Sequence, residues 1–197
     1  MKPFAVFRLL VPVLLAAGCA DAVPPPTLYV LQTAPAAAPA AGQGRPLAVA
    51  LGPVTVPDYL DRTDIVRRAS DNRLAISEGE RWAETLRAGV LRVLAADLSD
   101  RLGPRGWVGT GGGHGGPAEV EIPVDIDGFE QDAAGRVVLS ASWEIRASRD
   151  DRKPVRRRTH YERTVTSGGT EEQVRALSAN LGDLATDIAT ALTNVQK

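Results

Sequence analysis

The chain has 197 residues, with 23 Lys and Arg against 24 Asp and Glu, a net charge of −1. That balance excludes the basic surface a nucleic-acid binder needs. A single cysteine, Cys19, excludes an internal disulfide framework and any cysteine-based metal site in the body of the protein.

The N-terminus carries Lys2 and Arg8, then a tight apolar run from Leu9 to Ala17. This run is too short to span a bilayer, which takes about 20 apolar residues. It has the layout of a secretory signal. Leu15-Ala16-Ala17-Gly18-Cys19 resembles the lipobox of bacterial lipoproteins, with the usual leucine one place early. Small residues before the cut let the backbone enter a peptidase, and the Cys19 thiol then carries the lipid. Loss of residues 1–18 removes Lys2 and Arg8 and moves the net charge from −1 to −3. The expected organisation is a signal peptide over 1–18, a lipidated tether over 19–45, and one α+β domain over 46–197.

Within the tether, Pro24-Pro25-Pro26 keeps the chain extended. Thr27 to Gln32 reads as a short strand, and the Ala/Pro/Gly-rich run from Ala34 to Gly44 as a linker. Leu47 to Val56 reads as a buried strand ended by Pro57, with a turn at Tyr59-Leu60-Asp61. Asp64 to Arg68 and Arg73 to Ser77 form a hairpin turning at Asp71-Asn72. Ala83 to Leu102 is a helix with Leu86, Val90, Val93, Leu94 and Leu98 on its apolar face. Asp97, Asp100 and Arg101 are expected in solvent, and Gly103-Pro104 stops the helix.

Gly111 to Gly116 formally matches a dinucleotide-binding glycine pattern, but a strand follows where a helix is required, so it reads as a loop. Strict alternation then begins. Val120, Ile122, Val124 and Ile126 face one way, as do Val137, Leu139, Ala141, Trp143 and Ile145 on the next strand. Val155 to Val165 is polar on both faces and is placed near a sheet edge. Thr170 to Val195 is the second helix, with Thr170 as its cap and Val174, Leu177, Leu181, Leu184, Ile188 and Leu192 inward. The fold class is α+β: a largely antiparallel sheet with two long helices packed on one face.

No catalytic constellation is legible. His114 and His160 are the only histidines, and neither has an evident serine or acid partner, nor metal-ligand spacing. No cofactor is called for. Two groups are candidates for contact with a partner. Tyr59, Asp61, Arg62, Arg81 and Trp82 join aromatic anchors to charges in turn-like segments. Arg156, Arg157 and Arg158, in a cluster with Arg149, Arg152 and Lys153, form a second, basic patch.

The chain also resembles the PqiC-like family, the ABC-type transport auxiliary lipoproteins associated with MCE proteins. The resemblance rests on Leu28-Tyr29-Val30-Leu31, on Val56-Pro57-Asp58-Tyr59-Leu60-Asp61-Arg62 with Ile65-Val66, and on Glu80-Arg81-Trp82-Ala83-Glu84 leading to Leu86. Val124 to Phe129 and Val137 to Trp143 extend it, while Thr85 stands where the family often has proline. The resemblance implies a non-enzymatic lipoprotein held at the outer membrane and facing the periplasm. It would meet an MCE-domain periplasmic tunnel protein in lipid transport between the two membranes. An outer-membrane lipoprotein that assembles or plugs a barrel is the alternative. The lipid, its direction of travel and the number of subunits, homo-oligomers included, stay open at this stage.

Overall fold

The computed structural model describes residues 24–35, 46–110, 117–148, 153–165 and 169–195. Cys19, the signal segment, the glycine run with His114, and Arg149 and Arg152 lie outside them. Along the described chain run β1 (Thr27–Tyr29), β2 (Leu47–Thr55), β3 (Asp64–Ser70), β4 (Arg73–Trp82) and α1 (Leu86–Leu102). They are followed by β5 (Gly106–Gly109), β6 (Val120–Gln131), β7 (Arg136–Ala147), β8 (Val155–Thr164) and α2 (Thr170–Val195).

All eight strands join one mixed sheet with β6 as its spine. β7 lies along one side of β6, and β2 and then β3 follow one another along the other. The sheet is not the largely antiparallel one that the alternation suggests. The pairings β1·β4, β2·β5, β2·β6 and β3·β6 are parallel, against antiparallel β3·β4, β6·β7 and β7·β8. The crossover through α1 is the reason. It returns the chain to the end of the sheet where β2 began, so β5 runs alongside β2 in its own direction, and β6 takes the same direction on the other edge of β2. β2 is hydrogen-bonded on both edges, and its burial alternates along the strand, with Leu47, Val49, Leu51 and Val54 in the core. The alternating patterns locate the hairpins and carry no information about these crossovers. β5, only four residues with glycine at each end, has no periodicity to betray it.

The inward sets of β6 and β7 are buried as expected. A register shift between Ile126 and Gly128 then moves the inward set by one residue and brings Phe129, 2 % exposed, into the core. β8 pairs only with β7 and is an edge, which explains its polarity on both faces.

Helix α1 starts at Leu86, not Ala83. β4 continues to Trp82, and the Ala83 N–H is already donated to the Tyr29 carbonyl at 2.9 Å. Thr85 caps the helix, its Oγ1 accepting from the Ala88 N–H at 3.4 Å. Gly103, at φ 66°, takes the left-handed conformation that ends it. Helix α2 spans the expected residues, but the Thr170 hydroxyl does not cap it. That hydroxyl donates to Glu80 and accepts from Arg67, tying the helix start to β4 and β3.

Asp97 and Arg101 are not in solvent. Asp97 is fully buried and Arg101 nearly so, paired at 3.1 Å. What covers them is the segment expected as tether. Leu31 is 2 % exposed, the Gln32 N–H donates to Ser178 Oγ at 3.1 Å, and the Ala34 N–H donates to Asp97 Oδ1 at 3.1 Å. This strap crosses both helices, and Gly182 makes room for it: a Cβ there would stand 2.3 Å from that of Ala34.

Leu94, Leu139 and Leu184 are fully buried and Trp143 is 4 % exposed, in one continuous core. Leu94→Ala is expected to cost about 2–5 kcal/mol in chemical denaturation. A loss below about 0.5 kcal/mol would show that the apolar face of α1 is not packed on the sheet.

Candidate interaction surface

The loop between β2 and β3 is closed by the Leu60 and Asp61 N–H groups, both donating to the Pro57 carbonyl. Tyr59 hangs from it over the outer face of the sheet. Its hydroxyl donates to the Glu130 carboxylate at 3.2 Å, and Arg68 clamps the same carboxylate at 2.7 Å. Burial, and then the Glu130 charge, push the Tyr59 phenol above its ordinary value, so it stays protonated at physiological pH. Glu130 is itself buried and also accepts the Phe129 N–H. Tyr59 is thus committed largely to an internal network, with only its partly exposed ring available to a partner.

Asp61 sits at the start of α1. It accepts the Arg87 N–H at 3.3 Å and pairs with the Arg87 guanidinium at 3.0 Å, where the positive end of the helix favours a carboxylate. Arg62 grips Asp64 through two nitrogens at 2.9 and 2.6 Å, and Arg81 approaches Asp64 from β4 at 3.6 Å. Arg62, Arg81 and Arg87 all remain well exposed. Three guanidiniums around two carboxylates leave one net positive charge at this end of α1. The sequence reading found Asp61, Arg62 and Arg81 but missed Asp64 and Arg87. The β3–β4 register sets Asp64 opposite Arg81, and the start of α1 brings Arg87 to Asp61.

Trp82 is not an exposed anchor. It is 6 % exposed, and its backbone N–H donates to the Thr63 carbonyl at 2.7 Å. Its side chain belongs to the hydrophobic core. Arg156, Arg157 and Arg158 are exposed on β8, set opposite Glu144, Trp143 and Ser142 of β7. Arg146 first, then Arg156 at 3.3 Å, hold the Glu144 carboxyl below its usual range. These arginines lie on the edge strand beyond β7, whereas Asp64 opens β3 on the other side of β6. The two patches are separate surfaces.

His160 does have the partners that the sequence did not disclose. Cross-strand pairing sets Ser140 Oγ 2.8 Å from Nδ1, and Glu162 Oε1 is 3.0 Å from Nε2. The atoms are those of a hydrolytic triad, but the setting is a flat, exposed sheet face. Ser140 is paired with strands on both sides, and Arg136 draws Glu162 away at 3.0 Å. With Ser140 held in mid-ladder and the His160 and Glu162 side chains exposed, the trio is read as a surface network.

An α+β domain with an exposed arginine cluster at the start of α1 is the class this geometry defines, and no catalytic centre is assembled among the described residues. The comparisons agree: the chain belongs to the family described as ABC-type transport auxiliary lipoprotein component, matched over residues 29–189. The intermembrane transport lipoprotein PqiC of Escherichia coli is 29 % identical over 136 residues, covering 69 % of this chain and 70 % of its own. PqiC of Shigella flexneri matches equally. Two crystal structures share the fold at a TM-score of 0.72, each covering 86 % of this chain. One is an uncharacterised protein at 24 % identity and 99 % of its own chain. The other is from Xanthomonas campestris, at 17 % and 97 %. The names of the family and of the relatives are those of transport lipoproteins, not of enzymes.

Arg62→Ala and Trp82→Ala separate surface from core. Arg62→Ala should change stability by less than about 1 kcal/mol, as exposed ion pairs do. Trp82→Ala should cost about 3–5 kcal/mol by removing a buried indole. Equal, small effects in thermal denaturation would contradict the burial of Trp82.

Proposed function

We propose that this chain is the non-enzymatic, membrane-anchored auxiliary lipoprotein of an MCE-type system that moves phospholipid between the two membranes of the envelope. The observation that carries the reading is the family match over residues 29–189, joined to relatives named as intermembrane transport lipoproteins. In this reading residues 1–18 are removed and lipid on Cys19 holds the protein to the outer membrane, facing the periplasm. No helix among the described residues is long and apolar enough to cross a membrane. The protein is neither the ATPase nor the permease. It is the component that receives the periplasmic MCE tunnel protein.

The docking surface in this proposal is the arginine cluster at the start of α1. Arg62 and Arg81 present charge, Asp61 and Tyr59 fix the loop, and Trp82 is buried in the core. Arg156 to Arg158 form a second contact.

Cross-linking in the native host followed by capture of the lipoprotein should recover an MCE-domain protein. Arg62→Ala with Arg81→Ala should abolish that capture without loss of fold, and Cys19→Ala should move the protein out of the outer-membrane fraction. Recovery of a barrel-assembly complex instead would replace this reading with that of an assembly lipoprotein.

A further inference from the structure

β1 is the end strand of the sheet order, and no strand among the described residues pairs with its second edge. The Tyr29 carbonyl accepts from the Ala83 N–H, so Tyr29 faces β4, and alternation turns the N–H and C=O groups of Leu28 and Val30 outward. Beside that edge lies a groove of about 550 Å³, within the range of small-ligand sites. One wall is the strap; the other is the face of α2 formed by Glu171, Val174, Arg175 and Ser178. Leu28 is 61 % exposed and Val30 41 % exposed on its rim, unusual for side chains of their size.

An edge strand facing a helix across an apolar groove is the arrangement that accepts an added strand: backbone groups supply the bonds, and alternate side chains enter the groove. An alkyl chain would leave the outward groups of Leu28 and Val30 without partners in a drying groove. Upstream, Pro24 to Pro26 keep the chain extended. Charge adds a further constraint. Glu171 and Glu172 in the first turn of α2 share the single Arg175, leaving one net negative charge beside the groove.

We propose that this groove captures an extended, apolar peptide segment of a partner protein, carrying a basic residue, which adds to β1 as a further strand. The site is distinct from the arginine cluster, and the proposal does not depend on the transport reading.

The test uses the full mature chain in detergent and an array of short peptides. Apolar and polar positions alternate in each, with Lys, Glu or neither at the ends. Binders recovered from the array are then made with N-methyl groups on alternate residues. Saturable binding by lysine-bearing members is expected, weakened at least about tenfold by N-methylation of one alternate set and by Val30→Pro. Val30→Pro removes an outward donor and leaves the β1–β4 bonds in place, so the melting curve should be unchanged. If that variant misfolds, N-methylation alone decides. Overturning results are an array with no binder, binding indifferent to N-methylation, or displacement of the peptides by a fluorescent palmitate that binds Val30→Pro equally well. Self-association of the chain that blocks the peptides would also overturn the proposal, assigning the edge to a second copy.

Discussion

One carboxylate without access to water decides how the layers meet. Asp97, in the middle of α1, gives Oδ1 to the Ala34 N–H and to Arg101, while Oδ2 has no protein partner. Arg101 reaches on to Thr186 of α2 at 2.8 Å. A charge taken this far from water is costly unless paired, and removal of one partner strands the other. Burial is the dominant influence and raises the Asp97 carboxyl above its ordinary value, against the lowering effects of Arg101 and the Ala34 N–H. The linkage follows with a definite sign. Asp97 favours the fold most below the unfolded carboxyl value of about 3.9, and that contribution is lost as the pH rises through its folded value. At neutral pH the pair therefore fixes where the strap lies more than it adds net stability.

The strap ties the N-terminal segment to the end of α1 that carries the arginine cluster. Arg92 donates to the Leu31 carbonyl at 3.2 Å and pairs with Glu84 at 2.5 Å, two residues before α1 begins. The same helix start carries Asp61 and Arg87. A pull on the N-terminal segment is thus delivered to α1 and not to a free linker. In the proposed function, that coupling would hold the domain in a fixed orientation relative to its lipid anchor. Gly182 is the concession that allows it, because any side chain there would push Ala34 off the helices.

The hairpins and helices were legible because each has a single wet face. The inward rows of β6 and β7 and the apolar stripe of α2 all appear in the period of the sequence, and the polarity of β8 marks an edge. What was not legible depends on contacts between distant segments. Asp97 and Arg101 have the spacing of an exposed pair and are buried only because Leu31 to Ala34 cover them. The parallel pairing of β2 follows from a crossover, which leaves no local pattern. Within the candidate surface, Arg62, Arg81 and Asp61 were found through loop composition and family resemblance. Asp64 and Arg87 needed the β3–β4 register and the α1 start. Trp82 was misplaced because an indole at the end of a strand has the same local context whether it points in or out. Ser140 meets His160 only across the β7–β8 ladder.

The claim that the strap is an integral, Asp97-locked part of the fold is tested most directly by amide hydrogen exchange on Asp97→Ala. The Gln32 and Ala34 amides should exchange near the rate of an unstructured chain in the variant, while the amides of β6 and β7 stay protected. Gln32 and Ala34 amides as protected in the variant as in the native protein would contradict the account, because the strap would then be held without the buried carboxylate.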